Sequence, residues 1–73
     1  MSKHYPQGTP VKWKWGNGYG HGTIKQSFDR DVQRTIDGEK ITRHGSKENP
    51  AYEIEREEGN NVLKLHSEIE KDG

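Results

Sequence analysis

Val11-Lys12-Trp13-Lys14-Trp15-Gly16-Asn17-Gly18-Tyr19-Gly20-His21-Gly22-Thr23-Ile24 holds both tryptophans and four of the nine glycines of the chain. Val11 to Trp15 alternates apolar residues with lysine, the period of a half-buried strand. Val11, Trp13 and Trp15 share one face; Lys12 and Lys14 share the other. Gly16-Asn17-Gly18 reads as a turn, because Gly and Asn accept positive φ at little cost. Tyr19 to Phe28 reads as a second, longer strand, with Ile24, Gln26 and Phe28 on one face. Gly20 and Gly22 lie in phase with Ile24, which signals a bend or a close backbone approach.

Working outward, Pro10 is acceptable at the first position of a strand. Residues 1–9 read as a flexible N-terminal tail. Downstream, Val32 to Ile36 and Glu39 to Arg43 flank Asp37-Gly38, the residue pair of a type I′ hairpin. His44 to Pro50 is a polar loop. Ala51 to Arg56 is a strand with Tyr52 and Ile54 inward and Glu53 and Glu55 toward solvent. After a turn at Glu57-Glu58-Gly59-Asn60, Asn61 to Leu65 is the last strand, with Leu63 and Leu65 inward. Ser67 can cap one helical turn that brings Ile69 to the end of the barrel. Residues 71–73 are expected to fray.

The expectation is therefore an all-β domain over residues 10–70. It is a small SH3-like (Tudor-like) barrel of five to six short antiparallel strands with one short C-terminal helical turn. The 73 residues suffice for one domain. Hydrophobic residues are 25%, charged residues 33% and mean hydropathy −1.36, so the core must be small. There is no cysteine, which excludes disulfides and thiolate metal sites. With no long apolar run, no membrane segment is expected, and a cytoplasmic monomer or small oligomer is the default, the monomer first.

The net charge of zero hides an asymmetry. Residues 1–28 carry four lysines and no acid; residues 48–73 carry three basic and eight acidic groups. Two readings follow: opposite ends that pair across the barrel, or a basic face for an anionic partner. The sequence pI near 6.9 favours the first.

Several ordered segments carry a family resemblance: Val11-Lys12-Trp13-Lys14-Trp15-Gly16, Gly22-Thr23-Ile24, Thr35-Ile36-Asp37-Gly38, Ile41-Thr42-Arg43, Asn49-Pro50-Ala51-Tyr52 and Val62-Leu63-Lys64-Leu65-His66-Ser67-Glu68. Together they resemble the hypervirulence-associated Tudor domain family of small bacterial and fungal proteins, from about Gly8 to Glu70. The resemblance implies a Tudor-like barrel and fixes no ligand. Chromatin-type Tudor domains cage methylated lysine or arginine with aromatics; no such cage maps onto this sequence residue by residue.

The candidate ligand-binding residues are Trp15, Tyr19, Tyr52, Lys12, Lys14 and Arg43. Trp13, mid-strand, is assigned to the core. Trp15 and Tyr19 bracket the first turn, where exposed rings can stack on a base or a cation. Tyr52 is either a third member of that rim or a core residue. Lys12, Lys14 and Arg43 would supply positive charge beside them.

The glycines do not form a phosphate loop, since Gly16 and Gly18 would need a third glycine where His21 stands. The four histidines show no metal-ligand spacing, so no metal and no cofactor is expected. His66, Ser67 and Glu68 are adjacent in sequence, which scatters their side chains instead of aligning a relay. The expected function is a non-enzymatic binding module. Its open partner classes are a protein or peptide, a single-stranded nucleic acid and a small modified cation, with self-association through a strand edge as the structural alternative.

Overall fold

The computed structural model describes residues 4–57 and 59–72. It is nearly all β: β1 (Pro10–Trp15), β2 (Gly18–Phe28), β3 (Asp31–Ile36), β4 (Glu39–His44), β5 (Ala51–Glu55), β6 (Val62–Leu65), a 3₁₀ turn (His66–Glu68) and β7 (Glu70–Lys71). All pairings are antiparallel. Five strands form one curled sheet in the order β6-β5-β2-β1-β7, and β3 and β4 form a separate hairpin. The barrel is thus not closed by a continuous ladder. At the seam between β4 and β6 a side chain bridges instead: Arg43 Nε donates to the Leu63 carbonyl at 3.3 Å.

The two hairpin turns follow from their residues. Asp37 and Gly38 have φ of 53° and 80°, the two positive values that a type I′ turn demands. In the first hairpin Trp15 pairs with Gly18, so the loop is only Gly16-Asn17, and Gly16 takes the positive φ of 55°. Gly18, read above as part of the turn, is already the first residue of β2.

β2 is long because it serves two neighbours. Gly18–Thr23 pairs with β1, and Thr23–Phe28 pairs with β5. The register shifts between Ile24 and Gln26, leaving Lys25 as the extra residue of a β-bulge. One extra residue reverses which face each later side chain occupies. Ile24 and Phe28, expected on one face, therefore enter different cores.

Those cores lie on opposite sides of β5. Val11, Trp13, Ile24, Tyr52, Ile54 and Ile69 form the first, with Tyr5 and Val62 packed against it. Phe28, Val32, Ala51 and Leu63 form the second, with Ile36, Ile41 and Leu65 at its margin. Ala51, Tyr52 and Ile54 are each 0% exposed. β5 is thus buried on both faces, which corrects the expected solvent face of Glu53. The Glu53 carboxylate accepts from Asn61 Nδ2 at 3.1 Å and lies 3.6 Å from Arg34 Nε. The Arg34 guanidinium in turn covers the Phe28 ring at 5.0 Å. A carboxylate at a core margin is tolerable when it is hydrogen-bonded and paired in this way.

Residues on either side of 10–70 also make contacts with the strands. Ile24 presents backbone groups beyond the start of β1, and they need partners. Gly8 N–H donates to the Ile24 carbonyl at 2.8 Å, and Ile24 N–H donates to the Thr9 carbonyl at 3.0 Å. Tyr5 stacks on His66 with ring centroids 4.7 Å apart. At the other end, Lys71 pairs with Val11 and Asp72 N–H donates to the Pro10 carbonyl at 2.9 Å. Of the expected frayed residues 71–73, the last lies outside the described residues, as do residues 1–3 of the expected tail.

The helical turn begins at His66, one residue before the expected cap. Glu68 supplies the cap by accepting the Leu65 backbone N–H at 2.8 Å. Ile69 then closes the first core, 8% exposed.

Candidate functional site: an aromatic cleft at the mouth of the first core

The first hairpin has two unlike faces. Its inner face carries Val11, Trp13 and Trp15 from β1, opposite Gly22, Gly20 and Gly18 of β2. Three glycines in phase strip that half of β2 of side chains. The Trp13 indole fills the space at Gly20: a Cβ there would stand 2.5 Å from Trp13 Cε2. At Gly18 a Cβ would meet nothing within 4 Å. The Trp15 indole therefore does not lie over Gly18. It projects past the end of the core and is 72% exposed.

Curling of the sheet brings this end of β1 across to the inner residues of β5 and β6. On β6, Val62 and Lys64 stand opposite Ile54 and Tyr52. The result is a cleft of ≈ 140 Å³ lined by Trp13, Trp15, Gly20, Arg56, Val62 and Lys64. Lys64 Nζ lies 6.0 Å from the centroid of the Trp13 ring. Among the described residues no carboxylate pairs with Arg56 or Lys64. The lining is thus two indoles, one aliphatic side chain, a bare backbone and two cations.

The outer face is chemically opposite. Tyr19, 55% exposed, stands across from Lys14. Lys12 Nζ is 5.1 Å from the Tyr19 ring centroid and 3.6 Å from Glu70 Oε1. His21 Nδ1 is 2.8 Å from Asp72 Oδ2. The acids of β7 and the residue after it thus lie beside the cation and imidazole of β1 and β2.

The six residues singled out from sequence therefore do not converge. Trp15 and Tyr19 are both exposed, but on opposite faces of the hairpin. Lys12 and Lys14 accompany Tyr19 and not Trp15. Arg43 is docked on β6 backbone at the far seam. Tyr52 belongs to the core: its hydroxyl accepts the Tyr5 backbone N–H at 2.9 Å and lies 3.0 Å from His66 Nδ1. Burial pushes the Tyr52 hydroxyl above its ordinary pKa, an effect that the Tyr5 hydrogen bond partly opposes.

The cleft residues that sequence reasoning missed are Arg56, Val62 and Lys64. Alternation alone does place Lys64 on the face away from Leu63 and Leu65. The acid-rich composition of residues 48–73 masked its role, because those residues read as a neutralising surface. Among the described residues no cluster of three or more histidine or acidic groups is placed to hold a metal. No helix among them is long and apolar enough to cross a membrane.

A small, nearly all-β domain with an open aromatic cleft belongs to the class of Tudor-like binding modules. The chain itself belongs to the family of hypervirulence associated proteins TUDOR domain, whose family model matches residues 8–69. Domains of the Tudor type are in general non-catalytic binding modules. No match was found among curated proteins or among solved structures.

Proposed function

We propose that this protein is a non-enzymatic binding module that seats its ligand in the cleft between Trp15 and the Arg56–Lys64 pair. The observation that carries the reading is the exposure of Trp15. Burying a tryptophan removes about 150–250 Å² from water, worth about 4–6 kcal/mol at roughly 25 cal/mol per Å². A chain with 25% hydrophobic residues forgoes most of that at position 15, where the ring is 72% exposed. Beside it stand two cations, Arg56 and Lys64, with no ion pair among the described residues. An aromatic ring next to unpaired charge is suited to a ligand with one flat and one charged part.

The module acts as a monomer in this reading. At the two ends of the five-stranded sheet, the two-residue β7 is a poor template for strand pairing and Arg43 already occupies backbone on the β6 edge.

The test is Trp15→Ala. It leaves the fold and thermal midpoint close to wild type and abolishes ligand-induced changes at Arg56 and Lys64 in a nitrogen-15 correlation spectrum. A variant that binds every ligand of the wild type equally well would sink the cleft as the binding site.

A further inference from the structure

We infer that the ligand class of the cleft is single-stranded nucleic acid, with a base stacked on Trp15 and the adjoining phosphates held by Arg56 and Lys64. This rests on the cleft being the binding site. Three features select the class. The first is sign: both charged residues in the lining are cationic, and no carboxylate of the described residues pairs with either. An ammonium ligand would meet two like charges there, and cation–π attraction to an indole does not offset them.

The second feature is the exposed indole. Acidic side chains alone would satisfy Arg56 and Lys64 but offer no flat group to stack on the indole. Every base has a π-face, and stacking on an aromatic side chain is indifferent to sequence. The third is position. Trp15 ends a strand and directly precedes the two-residue turn, so its ring stands at a rim. A rim ring reaches a base that is already unstacked, whereas a duplex keeps its bases inside.

The outer face does not compete for the same ligand. Lys12 is held by Glu70, and Asp72 stands beside His21, so acidic groups lie next to the basic ones there. Lys14 on that face has no ion pair among the described residues. With a net charge of zero the whole molecule offers no long-range attraction to a polyanion. Binding is therefore modest in strength, local, and dependent on the ring.

The experiment is a titration of full-length, nitrogen-15-labelled protein. The probes are a short mixed-sequence single-stranded DNA, its RNA counterpart, the DNA duplex and poly-glutamate, each at low and high salt. Both single strands should shift the Trp15 indole and the amides of Gly20, Arg56 and Lys64, with the duplex binding more weakly. Trp15→Ala should weaken binding at least about tenfold. The double variant Arg56→Gln/Lys64→Gln should flatten the slope of log affinity against log salt by about 1.4, the loss of two phosphate contacts. Tyr19→Ala should change neither quantity.

Absence of any shift with the single strands would overturn the inference. Shifts at the cleft with poly-glutamate alone, lost in Trp15→Ala, would overturn the nucleic-acid class and leave the cleft as the binding site. Oligonucleotide shifts confined to Lys12, Lys14 and Tyr19 would overturn both.

Discussion

The two faces of the first hairpin are built from the same two strands and follow opposite rules. On the inner face glycines delete side chains from β2, and two tryptophans occupy or overhang the space. On the outer face Tyr19, His21 and Thr23 all carry side chains, and β7 with the residue after it brings Glu70 beside Lys12 and Asp72 beside His21. The difference teaches where the acids of the C-terminal third act. Glu70 and Asp72 meet the outer face, because β7 pairs with β1 in a register that sets Glu70 opposite Lys12. At the inner mouth no carboxylate of the described residues pairs with Arg56 or Lys64.

The largest expected effect tests whether the inner face is structural at all. Trp13→Ala removes an indole that is 5% exposed and packed onto Gly20, and should cost about 3–5 kcal/mol. Tyr19→Ala, on the outer face, removes a ring that is 55% exposed and should cost less than about 1 kcal/mol. Urea unfolding of the two variants measures both. Equal losses would erase the distinction between the faces.

A finer probe stays within the inner face. Gly20→Ala forces a methyl against the Trp13 ring, so the indole or the strand must move. The expected loss is about 1–3 kcal/mol. Gly18→Ala, on the same strand and face, places its methyl in open space at a residue whose φ is not positive. That substitution should be neutral or stabilise by up to about 1 kcal/mol, since glycine is the costlier residue in a strand. Thermal melts of the pair decide whether close approach, and not strand flexibility, explains Gly20.

How much of this was legible in the sequence depends on how local the determining physics is. Asp37-Gly38 specifies its own turn, and the alternation around Trp13 specifies its own face. Trp15 and Tyr19 were harder, because their relation turns on one residue of loop length. A three-residue loop at Gly16-Asn17-Gly18 would pair Trp15 with Tyr19 on one face. The observed two-residue loop pairs Trp15 with Gly18 and sends Tyr19 to the other side. The bulge at Lys25 is similar: no residue there announces it, yet it sends Ile24 and Phe28 into separate cores. β7 was invisible because two residues carry no period. The cleft was least legible of all, since Trp15 ends β1 while Arg56 follows β5 and Lys64 lies on β6, and β1 pairs with neither β5 nor β6.

The smallest predicted effect separates the faces by solvent. Charges of the outer face lie in water, while the inner face buries a hydroxyl, that of Tyr52, at 0% exposure of the residue. Its folded pKa is raised by desolvation, so its neutral form is the one that folding favours. The stability this contributes is fully present below the ordinary tyrosine value of about 10 and is lost as pH rises through the higher folded value. Tyr52→Phe removes the titration but also strands the Tyr5 N–H, at a cost of about 1 kcal/mol near neutral pH. The wild type should therefore be the more stable protein at pH 7 and lose that advantage progressively above pH of about 10. Parallel alkaline unfolding curves for the two proteins would instead mean that the Tyr52 hydroxyl is hydrated, and that the inner face is open to water well below its rim.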